Sequence, residues 1–311
     1  MNPFTGLSNQ SSVVCLPQLD SATLLPFLQA DCPDYQITPV DASAFDHQLA
    51  EAAKAYAAVC AVGSGQPVPT DRWYCAIDPV FFRADMRDVQ LHSWPVDKLT
   101  GDHAQTLRQA LMALIRDDPD QRVAAWHLDE LAAQRWIVST PVDNALQFDA
   151  APAIDLLGLP LRASKPTGDD ASVIQRLMTE IQMSFHQIVD GTGVPVNGVW
   201  FYGAGTLTAP DELCALPTLY SDRLLVRGFW RVYGDGSAAV YENDPSDTLQ
   251  PGAVWAPREV PDLAAWINRS LQKGALEAVV IHTANARLIV KRRYTVRQLF
   301  SRLRRMTKRN A

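Results

Sequence analysis

Apolar positions recur along this chain with two periods. Helical spacing is clearest over residues 169–188, where Ile174, Leu177, Met178, Ile181, Phe185 and Ile188 share one face and Asp169 or Asp170 can cap the start. Residues 100–115 repeat the pattern with Leu107, Leu111, Leu114 and Ile115 behind Thr100 or Asp102. Two further helices are expected. One opens at Asp41 and carries Phe45, Leu49, Ala53 and Tyr56; the other opens near Val260 and carries Leu263, Trp266, Ile267 and Leu271. Short apolar runs predict strands at residues 13–16, 73–77, 89–92, 123–128 and 135–138. Pro17 ends the first of these and Asp78-Pro79 the second. Residues 276–281 and 287–290 form an expected hairpin turning at Asn285, and apolar runs also occupy 224–226 and 229–233. Strands that alternate with helices predict an α/β fold, a mixed sheet flanked by helices. The Pro- and Gly-punctuated stretch 156–166 is the expected internal boundary. It divides the chain into an N-terminal α/β half (1–165), a C-terminal α/β half (166–290) and a basic tail (291–311) closing as an amphipathic helix.

The most unusual stretch is 180–207, EIQMSFHQIVDGTGVPVNGVWFYGAGTL. A helix end meets a glycine-flanked turn, then an aromatic strand with Asn197, Trp200 and Tyr202, then Gly203-Ala204-Gly205. Large rings beside glycines imply a shaped surface with close backbone approach. The polar groups here, Glu180, Gln182, His186 and Asn197, together with Trp200, Tyr202, Gly203 and Gly205, are the candidate ligand or partner site. Gln182 and His186 stand four apart at the edge of the buried helical stripe, so they neighbour each other. Two readings stay open: these side chains line a pocket facing the aromatic strand, or they bond to nearby backbone at a helix edge.

Other chemistries find little footing. Gly203-Ala204-Gly205 is followed by no third glycine and no Lys-Ser/Thr pair, so it matches neither a P-loop nor a dinucleotide fingerprint. No G-x-S-x-G elbow occurs. Asp46-His47 and Asp102-His103 are the only Asp-His pairs, and neither has the spacing of a metal site. Catalytic residues and metal ligands are therefore expected to be none.

Composition narrows the class. Hydrophobic residues make up 47% of the chain and charged residues 20%, the balance of a globular protein. No apolar run reaches the roughly 18 residues of a transmembrane helix. The start, Met1-Asn2-Pro3-Phe4, lacks the features of a signal peptide. Five scattered cysteines without a C-x-x-C pair fit reduced thiols, so a cytoplasmic protein is expected. The net charge of −6 hides an asymmetry. From Ala278 onward there are ten Lys and Arg and no Asp or Glu, leaving 18 basic against 34 acidic residues (−16) in the rest. Lys291, Arg292, Arg293, Arg297, Arg302, Arg304 and Arg305 are the candidate tail contacts with an acidic surface, be it a partner, nucleic acid or anionic lipid, or the protein's own acidic body.

Against those residues a family likeness becomes specific. EIQMSFH followed by VPVNGVWFYGAGTL resembles the signature of the bacterial phosphoglycerate-mutase-like regulatory proteins of the RpfE type. DRWYCAIDPVFFRAD (71–85), AAQRWIVST (132–140), LQKGALEAVVIH (271–282) and RLIVKRRYTVRQLFSRLRR (287–305) resemble further segments of that family. The Asn-x-x-Trp strand with its paired glycines is also similar to one in archaeal-type cofactor-independent phosphoglycerate mutases. That similarity implies an alkaline-phosphatase-like, phosphoglycerate-mutase-like scaffold. It also implies, as an alternative, a divergent Mn- or Zn-dependent mutase or phosphatase. Three departures argue against retained catalysis. Val13 to Leu16 runs into Pro17-Gln18 where those enzymes place a metal-binding aspartate. No acidic neighbour follows His282, and His186-Gln187-Ile188-Val189 replaces a His-Pro-Val-Asn turn. The expected function is a non-catalytic, cytoplasmic regulatory or binding protein without a cofactor, serving a protein or small-molecule partner.

Overall fold

A computed structural model of the chain describes residues 11–16, 35–40, 55–84, 88–93, 101–132, 135–188, 196–210, 213, 215–241, 253–255, 267, 269, 271, 278–283 and 287–292. The elements in order are β1 (Ser11–Leu16), β2 (Tyr35–Val40), α1 (Tyr56–Ser64), β3 (Arg72–Ala84), β4 (Val89–Ser93) and α2 (Gly101–Arg116). Then come β5 (His127–Ala132), β6 (Arg135–Pro141), α3 (Ala171–Ile188), β7 (Gly198–Thr206), β8 (Leu219–Tyr220) and α4 (Leu224–Tyr233). The last are β9 (Val240–Tyr241), β10 (Val254–Trp255), β11 (Ala278–Thr283) and β12 (Arg287–Arg292). The result is a mixed α/β fold. Among the described residues no helix is long and apolar enough to cross a membrane.

Two compact units result: Met1–His47 together with Leu213–Ala311, and Gln48–Glu212. They do not follow a boundary at residue 165, because β7, beyond that point in sequence, pairs with β3 before it, and α3 packs on β7 and on α2. Strand pairing across more than a hundred residues overrides a local Pro- and Gly-rich connector.

In the first unit a seven-stranded sheet has the order β2-β12-β11-β1-β10-β8-β9. β1 lies between β10 and β11, parallel to both. β12 turns back antiparallel to β11, the hairpin expected from sequence. Residues 224–233 form helix α4 rather than two apolar runs of extended chain. Leu224, Val226, Phe229 and Trp230 are its buried side, and Trp230 Nε1 donates to Pro217 O at 2.8 Å. Trp255, Tyr220 and Tyr241 occupy matched positions on β10, β8 and β9, and their rings stack with centroids 4.3 and 5.0 Å apart.

The second unit is built on β3, a strand of 13 residues. β6 pairs antiparallel with Arg72–Ile77, β7 pairs with residues 73–80, β4 pairs with 81–84, and β5 completes the sheet beyond β6. Asp78-Pro79 therefore does not end the strand. β6 leaves β3 after the Ile77–Trp136 pair, so Pro79 sits where that pairing has already stopped, a place a sheet tolerates a residue without an N–H. Residues 121–124 make a helical turn capped by Asp120, and β5 begins only at His127, so the run 123–128 is not one strand. The core joins β3, β6 and β7 to α1, α2 and α3, with Trp136, Trp200, Phe185 and Phe201 fully enclosed. The sequence stripe on α3 is the buried face: Ile174, Leu177, Met178, Ile181 and Phe185. Helix α1 extends to Ser64. Its start upstream of Tyr56 and the expected helix carrying Val296, Leu299 and Phe300 lie outside the described residues, as do most side chains of the helix expected at 260–271.

Candidate functional site

The segment singled out by sequence lies in the second unit, and its groups do not converge on one point. Asn197 stands one residue before β7. Its Oδ1 accepts from Phe82 N at 2.7 Å and its Nδ2 donates to Phe82 O at 2.8 Å, so one side chain holds both backbone groups of one residue. That clamp falls where the β3–β4 register shifts between Phe81 and Phe82. A break in ladder pairing leaves backbone groups needing partners, and a primary amide supplies one donor and one acceptor.

Trp200 is fully buried; its Nε1 donates to Ala151 O at 2.8 Å and its ring meets Phe82 edge-on. Residues 198–202 of the aromatic strand are thus buried in the core, and residues 203–206 are partly buried. Gly203 has φ of +61° in an irregularity between Tyr74 and Ala76, and a Cβ there would stand 2.7 Å from Tyr56 Cβ. Its role is a bulge plus the close approach of α1. Gly205 pairs with Tyr74 in the ladder.

On α3 the polar candidates point to separate places. Glu180 accepts from Arg176, one turn earlier, at 3.0 Å. Arg176 at the same time reaches Asp118, whose side chain is wholly buried, with two bonds of 2.8 and 3.0 Å. Gln182 is half-buried and His186 is exposed. Glu180 thus serves an ion-pair network. Lys291 and Arg292 lie on β12, paired with Ala278 and Tyr35, so the basic helix does not begin at residue 291. Arg293, Arg297, Arg302, Arg304 and Arg305 lie outside the described residues.

The structure assembles a different polar group, which the sequence reading passed over. Asp78, on β3, is 2% exposed. It is hydrogen-bonded to Tyr202 of β7, and Arg135, at the start of β6, supplies a compensating charge. Burial pushes the Asp78 carboxyl up to about 6, against the opposing pulls of Arg135 and the Tyr202 hydroxyl. Burial likewise raises the Tyr202 phenol well above its ordinary value, the Asp78 charge adding to it. Tyr56 of α1 packs on Tyr202 with ring centroids 5.3 Å apart, and it too is raised by burial and then by Cys60. Cys75 completes the layer with its Sγ 3.5 Å from Tyr202 O. A signal for Asp78 was present: apolar runs on both sides of it, Trp73–Ile77 and Val80–Phe82, mark a carboxylate inside a buried strand.

Of the imidazoles, His92 contacts Arg83, His127 pairs with Asp129, His103 is buried near the start of α2, and His186 is exposed. Among the described residues no three His, Cys, Asp or Glu side chains group to hold a metal ion.

No protein-family model matches the chain, and no curated protein matches it. Solved structures similar to the chain include two that match it along most of its length. A cofactor-independent phosphoglycerate mutase from Thermoplasma acidophilum is 12% identical, with a TM-score of 0.42 over 90% of this chain and 89% of that one. A protein from Pyrococcus horikoshii is 12% identical, with a TM-score of 0.43 over 92% of this chain and 88% of that one.

Proposed function

We propose that this chain is a non-catalytic regulatory or binding protein of the bacterial cytoplasm, of the RpfE type, on a phosphoglycerate-mutase-like scaffold. It works by engaging a protein or small-molecule partner, without a cofactor. One observation carries the reading: four polar groups of the family-like segment are engaged by other parts of the protein. Asn197 holds the Phe82 backbone, Trp200 holds Ala151 O, Tyr202 holds Asp78, and Glu180 holds Arg176. A side chain committed to such a bond is not available to a substrate unless the bond breaks, which leaves a buried group unpaired. The basic C-terminal stretch complements the acidic remainder of the chain and suits an acidic partner surface.

The test is metal analysis of the purified protein combined with turnover assays on 3-phosphoglycerate and p-nitrophenyl phosphate, with and without added Mn and Zn. The expected result is no turnover above background and no stoichiometric metal. Stoichiometric Mn or Zn with turnover lost on chelation would establish the competing reading, a divergent metal-dependent mutase or phosphatase.

A further inference from the structure

The geometry points to Asp78 as a proton-controlled latch that sets how firmly α1 is held on β3 and β7. The carboxyl lies in a buried layer whose ionisable neighbours among the described residues are Tyr56 and Cys60 from α1, Cys75 from its own strand, Arg135 from β6 and Tyr202 from β7. Tyr202 satisfies one side of the carboxyl, while Asp78 Oδ2 is buried without a hydrogen-bond partner among the described residues. A neutral carboxyl carries a proton there and tolerates the site; an ionised one is a charge with one bare oxygen in a low-dielectric layer.

The layer has one side that yields more easily. β3, β6 and β7 are fastened to one another by backbone ladders over most of their length. Helix α1 belongs to no strand ladder and packs on the sheet through side chains: Ala57, Ala58 and Ala61 against the strands, and Tyr56 against Tyr202 and Gly203. Moving α1 outward admits water to Asp78 without breaking a ladder bond. Moving a strand breaks several.

The sign follows from linkage. The folded carboxyl binds its proton more tightly than the unfolded one, whose ordinary value is 3.8. The stabilisation is therefore complete below the unfolded value and is lost as pH rises through about 6. Partnered carboxylates elsewhere, such as Asp120 held low by Arg122, act in the opposite direction, so the effect is read against a variant lacking the Asp78 charge.

Hydrogen exchange of α1, corrected for intrinsic rates and followed from pH 4.5 to 8, tests the latch in wild type, Asp78→Asn, Arg135→Gln and Tyr202→Phe. Asn mimics the neutral carboxyl in shape and charge. Protection of α1 in wild type is expected to fall at least tenfold from pH 4.5 and to level off near 6, and in Asp78→Asn to stay level across the window. Arg135→Gln and Tyr202→Phe are expected to move the levelling-off to higher pH, because Arg135 and Tyr202 both favour the ionised form. Carbon-13 titration of the Asp78 carboxyl in wild type is an independent readout that does not depend on any variant folding. A carboxyl titrating below pH 4.5, or α1 protection with the same pH profile in wild type and Asp78→Asn, overturns the proposal.

Discussion

Replacing Asn197 by alanine separates a structural clamp from a ligand site. In the folded protein the amide makes two bonds to the backbone of Phe82, at 2.7 and 2.8 Å, both partly buried. Alanine removes both partners at once, leaving the N–H and C=O of Phe82 dependent on whatever water enters at the register shift. A net hydrogen bond is worth about 1 kcal/mol, and a stranded buried group costs about 1–3 kcal/mol. With two groups, each only half desolvated, the expected loss is about 2–3 kcal/mol. For a unit of this size that corresponds to a melting temperature lowered by about 4–12 °C. Near-UV circular dichroism of thermal and urea unfolding is suitable because Trp200 and Phe82 sit beside the clamp. Asn197→Asp sharpens the test. A carboxylate can still accept from Phe82 N but places a second oxygen against Phe82 O, so at neutral pH it should destabilise more than alanine, and acid should recover part of the loss. If Asn197→Ala melts within about 1 °C of wild type while binding of a partner is lost, the clamp is incidental and Asn197 belongs to a recognition surface.

The remaining expectations follow from single contacts. Gly203→Ala adds a Cβ 2.7 Å from Tyr56 Cβ at a positive φ, so it should cost about 2–4 kcal/mol from strain and overpacking, read by urea unfolding. Arg176→Met strands the wholly buried Asp118 side chain and should cost about 2–3 kcal/mol, reduced from the fully buried case because Arg176 is one-third exposed. Glu180→Gln, at the exposed end of the same network, should change stability by less than about 0.5 kcal/mol. Equal losses for these two would mean the network is not anchored on Asp118. Trp200→Phe deletes the bond to Ala151 O and part of a fully packed ring, and a loss of about 1–3 kcal/mol without any new metal or substrate dependence is expected by thermal unfolding and turnover assays.

Local pattern carried much of the fold. The stripes on α2 and α3, the apolar run of β1, the β11–β12 hairpin and the mixed α/β class were all legible, because periodicity reports which face of an element is buried. Two local signals misled. Asp78-Pro79 reads as a stop, yet β3 runs through it, since neighbouring strands supply pairing that propensity cannot count. The connector near residue 165 reads as a boundary, yet α3 and β7 belong with β3.

The polar residues divide the same way. That Asn197, Trp200 and Tyr202 matter was visible in the chain, as residues too costly to bury without a partner. What each one meets was not. Asn197 reaches Phe82 across 115 positions, and Arg176 reaches Asp118 across 58. Asp78 meets Tyr202 and Arg135 only because β7 and β6 register on either side of β3 as they do. Sequence set which groups needed satisfying; strand register and helix docking, which are properties of the whole chain, chose their partners.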